Sequence, residues 1–411
     1  MIGAATTATR ACASAIDDLY HKIYPYYAEL CAFTEIRKKP GQGASLRSGI
    51  GGHSILYLNG VCRDRRPGYP TLELCDAEAM PAQRGVGISV NAHYKNANWV
   101  ATDGPDYLWR GALEPGERLT RAAYDRTQQQ AKAMGLLDGV AFHDHLFRDK
   151  PNGMSDNDYM YEISIASDYA LRFGRDVLRA RVPLDRRRMG NIVAFLNALN
   201  APYRDGVQIF KWRVTNNNCS HLVHNALAQA GIWSPWPTGQ FFGTAAFNFP
   251  VPKNEFVDLV IRTNDMPIDD APALFKDEIG RRTLLDYDTL PTSPGALAMA
   301  EPAVQENDLY DVDGLRLIFY DKPWGLYRSR LARILSEPRY SDLHANLRHF
   351  QSVYTSAVKH CSTTRGVSGV ANEQSDFCQR YDDYILREVR TVCDRLAMLE
   401  QVAPVRAETI A

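Results

Sequence analysis

Hydrophobic and polar positions change period several times along this 411-residue chain, and each change predicts an element. The stretch AIDDLYHKIYPYYAELCAF, residues 15–33, has helical spacing broken by Pro25 and predicts two short helices. Alternation follows. HSILYLNG (53–60) and TLELCD (71–76) predict two strands paired as a hairpin across a Pro/Gly turn. GVGISVNAHY and NANWVAT predict further strands, and residues 121–134 predict a helix. YMYEISIASDYALRFG (159–174) reads as strand into helix. LDRRRMGNIVAFLNALN (184–200) is helical, with Met189, Ile192, Phe195 and Leu196 on one side, and GVQIFKWRV (206–214) is a strand running into three asparagines.

Beyond residue 260 the pattern changes. Long Pro/Asp-rich connections lead to helix-period stretches carrying Leu343, Leu347, Phe350 and Tyr354, then Tyr384, Leu386, Val389 and Val392. The chain therefore divides into an α+β domain over 1–260 and a mostly helical region over 261–411.

The helix beginning at Cys219 is the best bounded by local chemistry. Leu222, Val223, Ala226, Leu227 and Ala230 form one apolar face that Cys219 begins. Asn218 stands at the N-cap position and Gly231 just past the end. A thiol here faces the positive end of the helix dipole, which is expected to lower its pKa and raise the attacking thiolate. Free N–H groups of the same turn suit an oxyanion. The plainer reading is a small hydrophobe at the start of a buried helix.

A nucleophile needs a base, and that base a polar partner. His53 begins a strand on the same face as Ile55 and Tyr57. In the expected hairpin, Asp76 returns beside His53 and orients it. Glu73 has the opposite parity; His93, on a later strand, is a candidate for that position or for substrate contact.

A histidine opening a strand, a polar residue on the next, and much later NNCSHLVHNAL opening a helix resembles the circularly permuted papain-like group. This is the permuted branch of the NlpC/P60 superfamily, which includes lecithin–retinol acyltransferase-like proteins. The resemblance covers Gly52–Asp76 and Thr215–Gly231, about a tenth of the chain. It implies an antiparallel sheet packed on the cysteine helix, with a large insertion between histidine and cysteine. It also implies Cys219 as nucleophile and His53 as base, without metal or organic cofactor. Permuted members act on lipid acyl chains, so a phospholipid-like ester is the first expectation and a peptidoglycan or other amide the second. Toxins in the superfamily make an exported effector with an inhibitory or carrier protein partner a further expectation. A non-catalytic binding protein that keeps the fold is the competing class.

Composition narrows the field. Lys and Arg number 47 against 48 Asp and Glu, with no basic stripe, which argues against a nucleic-acid partner. No apolar run reaches membrane-spanning length. The N-terminus lacks the basic start and apolar segment of a secretory signal, so the chain is expected to be cytoplasmic when made, with export by another route open. Eight cysteines are too sparse for a disulfide scaffold; Cys361 and Cys378 read as unrelated buried thiols. His221 and His224 lie off the apolar face near Cys219 and are candidates for substrate contact, and Trp233 and Trp236 for a pocket wall. His143 and His145 offer two metal ligands where a zinc site needs three or four.

Overall fold

The computed structural model describes residues 19–44, 52–64, 66, 71–76, 84–96, 100–213, 217–238, 251–315, 327–364 and 372–402. Its centre is a strand that the spacing disguises. Tyr27–Phe33, expected to be helical, forms β1, with all seven residues buried. A strand covered on both faces shows no alternation, so its period misleads.

β1 pairs antiparallel with β2 (His53–Asn59) on one side and β7 (Val177–Pro183) on the other. The order continues through β5 (Gly85–Ser89) to β6 (Val100–Asp103) beyond β2, and to β8 (Leu297–Glu301) beyond β7. Every neighbouring pair of this six-stranded sheet is antiparallel. The chain is thus α+β, about half helix.

Two elements depart from the expected hairpin. β3 (Val61–Asp64) and β4 (Thr71–Leu74) pair with each other as a separate ribbon, while β2 takes β5 as its partner. A disulfide joins Cys62 to Cys75 across that ribbon. One bridge is not a disulfide scaffold, and the cysteine spacing did not single out this pair. Asn197 also clamps β4, donating to Leu72 O at 2.8 Å and accepting from Leu72 N at 2.9 Å. Elsewhere residues 156–164 are helix rather than strand, and 206–212 form an irregular loop. Cys378 is exposed rather than buried.

The sheet's two faces carry different cores. Leu30, Leu56, Leu58, Val86 and Ile88 pack against Ile192, Val223, Leu227, Phe256 and Val260. Those partners belong to α4 (Arg186–Arg204), α5 (Cys219–Gln229) and α6 (Pro252–Asn264). The earlier helices, in chain order, are α1 (Pro105–Arg110), α2 (Arg121–Ala133) and α3 (Asp156–Ser164). On the other face Cys31, Phe33, Ile55 and Tyr57 share a core with Trp109 of α1 and with Leu347, Phe350, Tyr384 and Val392 from residues 343–402. The C-terminal helices therefore close the sheet instead of forming a unit of their own. The boundary expected at residue 260 falls inside α6, and Leu297–Glu301 beyond it supplies an edge strand.

Glu29 of β1 is buried on this second face with Arg179 and Arg181, each at 2.8 Å. Burial would raise its carboxyl, but the two guanidiniums hold it at about 2.

Replacing both Cys62 and Cys75 by serine frees a chain separation of 13 residues. We expect a loss of roughly 2–3 kcal/mol, read as a lower denaturant midpoint.

Candidate active site

The polar residues collect at one end of the sheet. Asn218 has extended backbone, and its Oδ1 accepts the His221 N–H at 3.2 Å, capping α5 as the sequence predicts. Gly231 closes the helix at φ 72°, where a Cβ would meet Thr283 Oγ1 at 2.8 Å. Between these ends Cys219 to Leu227 are all buried.

Cys219 meets β2 one residue past the histidine. The N–H groups of Ser54, Ser220 and Cys219 and the Ser54 hydroxyl converge on its sulfur, and Ser54 Oγ lies 3.2 Å from Ser220 Oγ. These donors favour the thiolate. Burial outweighs them and pushes the thiol up, which reverses the expected lowering by the helix dipole. With Cys219 only 7% exposed, losing water disfavours the anion more than the helix end favours it.

The His53 side chain leaves β2 toward the second face, its ring 6.2 Å from Phe33. Cys219 approaches from the first. The two groups share one end of one strand, and among the described residues no hydrogen bond joins them.

What holds the imidazole is a residue the sequence reading missed. His53 Nε2 lies 3.0 Å from Ser89 Oγ, and the Ser89 hydroxyl donates to Asp168 Oδ1 at 2.6 Å. Asn91 Nδ2 donates to both oxygens of Asp168, at 2.9 and 3.0 Å. Burial raises the Asp168 carboxyl; hydrogen bonds from Ser89, Tyr94 and Asn91 and the Arg175 charge oppose it. Every neighbour donates or is cationic, so the geometry calls for a carboxylate. The Ser89 proton is then committed to Asp168, and Ser89 Oγ can only accept from His53 Nε2–H. That assigns the tautomer and leaves the Nδ1 lone pair to take a proton.

Arg175 braces the same corner, donating from Nε to Ala166 O and from Nη1 to Thr34 O, each at 2.8 Å. Burial lowers it to about 10 against the pull of Asp168, Tyr310 and the Cys219 sulfur. Burial, then Arg175 and His93, lowers His53 to about 3. The imidazole is neutral across the physiological range.

Asp76 does not join this group. Val61 pairs with Leu74, and Cys75 N–H donates to Gly60 O at 2.9 Å, so Asp76 lies at the far end of β2. The six residue steps from His53 to Asn59 span roughly 20 Å. Glu73 shares that ribbon, opposite Cys62. β2 takes β5, not β4, as its partner, so the polar residue on the His53 face comes from β5. Ser89 sits opposite Ile55 on the face His53 uses, a polar position in an otherwise apolar strand. Asp168 had no readable signal. It lies in a turn between Ala166 (φ 59°) and Ala170 (φ 53°), two non-glycine residues in the left-handed region.

His93 comes within electrostatic reach of His53. Its ring stacks on Phe142, its Nδ1 is buried with no hydrogen-bond partner among the described residues, and burial lowers it to about 4. His221 turns Nδ1 to Asn218 Oδ1 at 3.0 Å and lines a cavity of about 360 Å³. Phe195, Leu199, Tyr203, Phe210 and Leu222 supply its apolar wall, and Asn218 brings it to the residue before Cys219.

His224, Trp233 and Trp236 lie outside that wall. The His224 ring is sandwiched between the indoles at 4.4 and 3.8 Å, its nitrogens 2.8 Å from Glu255 Oε2 and 2.9 Å from Ser234 O. Trp233 Nε1 donates to His224 O at 2.8 Å. Both His224 ring nitrogens and the Trp233 indole N–H are engaged with the protein, and Asn225 holds the Trp236 backbone, so the three residues fasten 233–236 to α5. Among the described residues no cluster of three or more His, Cys, Asp or Glu is arranged to hold a metal, and no helix is long and apolar enough to cross a membrane.

The chain matches no protein-family model, and neither a curated protein nor a solved structure is significantly similar to it.

The low His53 pKa has a consequence for folding. Between pH 6.5 and about 3 the unfolded chain binds a proton at His53 that the native protein does not. Stability from this group is complete above pH 6.5 and is lost as pH falls toward 3. Urea midpoints should fall more steeply over that window in the parent than in His53→Gln, with His93 and His221 supplying the remaining slope.

Alkylation by iodoacetamide gives a second check. The half-point at Cys219 should lie above the ordinary thiol value of about 8.5, with slow labelling at pH 6.

Proposed function

We propose that the protein is a cysteine-dependent acyl hydrolase or acyltransferase built on a permuted papain-like core, acting on lipid-like esters. The observation that carries this reading is the Asp168–Ser89–His53 chain ending where the cysteine helix meets the same strand. Ser89, backed by Asp168, takes the orienting role first expected of Asp76.

The resting pair is a thiol and a neutral imidazole. His53 Nδ1 takes the Cys219 proton as the sulfur closes on the substrate carbonyl carbon, forming the S–C bond. N–H groups at the start of α5 stabilise the oxyanion. His53 returns the proton to the departing alcohol, leaving a thioester. Water, losing its proton to His53, then releases the acid and restores the thiol; another alcohol in its place makes the reaction a transfer. In this reading the His53 ring, which lies on the second face of β2, turns around the strand end to reach Cys219 as substrate binds.

The cavity beginning at Asn218 has one apolar wall, Phe195, Leu199, Phe210 and Leu222, that would receive an acyl chain, which supports the ester reading. The Cys62–Cys75 bridge supports a protein that works outside the cytoplasm in which it is made, because disulfides rarely persist in reducing compartments. One observation favours the competing reading of a non-catalytic binding protein, namely a buried thiol not hydrogen-bonded to the imidazole.

Hydrolysis of phosphatidylcholine and of p-nitrophenyl esters separates the two. Cys219→Ala should abolish turnover and His53→Ala reduce kcat/KM by roughly 10²–10⁴-fold. Ester and amide substrates left intact would favour the binding protein, and turnover surviving Cys219→Ala would remove Cys219 as the nucleophile.

A further inference from the structure

We propose that the loop of residues 205–213 is a docking surface for an anionic lipid bilayer. Its tip carries Val207, 83% exposed, with Ile209 beside it at 50%; Val207 is the most exposed large hydrophobic among the described residues. Fraying does not explain that exposure. Gln208 N–H donates to Pro202 O at 3.3 Å and Phe210 N–H to Lys95 O at 3.0 Å, and Arg213 and Asn217 exchange backbone hydrogen bonds at 3.0 and 3.1 Å. A tethered loop that holds two aliphatic side chains in water calls for a partner that covers them.

The charges beside them choose the partner. Lys211 and Arg213 are exposed and make no ion pair with any described carboxylate, whereas Asp205, the loop's one acid, sits 3.4 Å from Arg204. Aliphatic groups at the tip with unpaired cations behind them match the layering of an anionic membrane surface, acyl region first and phosphates above.

The loop also forms part of the cavity. Ile209, Phe210, Lys211 and Arg213 line it together with His221 and Asn218, the residue before Cys219. A chain leaving the bilayer at Ile209 would enter between Phe210 and Leu222 with its phosphate held at Lys211 and Arg213. Delivery of an ester to Cys219 in this way rests on the thiol-hydrolase reading; the membrane binding does not.

Co-sedimentation of the full chain with vesicles of phosphatidylcholine, alone or mixed with phosphatidylglycerol, tests the docking. The parent should bind the mixed vesicles more tightly. Val207→Asp should weaken that binding by about tenfold, and Lys211→Glu with Arg213→Glu should remove the preference for phosphatidylglycerol. Because Val207 lies outside the cavity wall, Val207→Asp should keep its thermal midpoint and its turnover of a soluble short-chain ester. Equal vesicle binding by parent and Val207→Asp, or no binding by the parent, would overturn the proposal. Vesicle binding that follows these substitutions without any ester turnover would leave the docking surface standing and remove the hydrolase reading.

Discussion

A buried carboxylate must be answered by donors, and in this protein the answer organises the end of the sheet. Asp168 is 1% exposed, and around it stand the Ser89 hydroxyl, the Asn91 amide and the Arg175 charge. Meeting that demand fixes the direction of each hydrogen bond outward to His53. The strained turn at Ala166 and Ala170 and the Arg175 bonds to Ala166 O and Thr34 O brace the carboxylate at this corner. Removing Asp168 would therefore disturb the imidazole without touching it.

The second organising feature is the two-sided sheet. β1 is central because both its faces find cover: helices α4, α5 and α6 on one, the C-terminal helices and a buried Glu29–Arg179–Arg181 cluster on the other. Alternation in β2 sends Ser54 toward the cysteine helix and His53 away from it. The thiol and imidazole thus approach one strand end from opposite faces. Burial keeps both uncharged.

What could be read in the sequence follows from range. The cysteine helix was legible with its cap and its glycine stop, because those signals lie within one turn of the residues they act on. His53 was placed correctly at the head of a strand and on the Ile55–Tyr57 face by period alone. β1 was not, since burial on both sides erased alternation. The partner of β2 was misassigned because the nearest strand in sequence, TLEL, is held by a disulfide and by Asn197 in another ribbon. Asp168 lies 79 residues beyond Ser89, and no local pattern announces a pairing at that distance. Composition changes near residue 260, but α6 runs through that point and the sheet takes its last strand, Leu297–Glu301, from beyond it.

Nitrogen-15 NMR of the His53 ring at pH 7 tests the central arrangement most directly. Protonated Nε2 and unprotonated Nδ1, persisting to about pH 3 and lost in Ser89→Ala, are the predicted result. A proton on Nδ1, or an imidazolium at pH 7, would contradict the account.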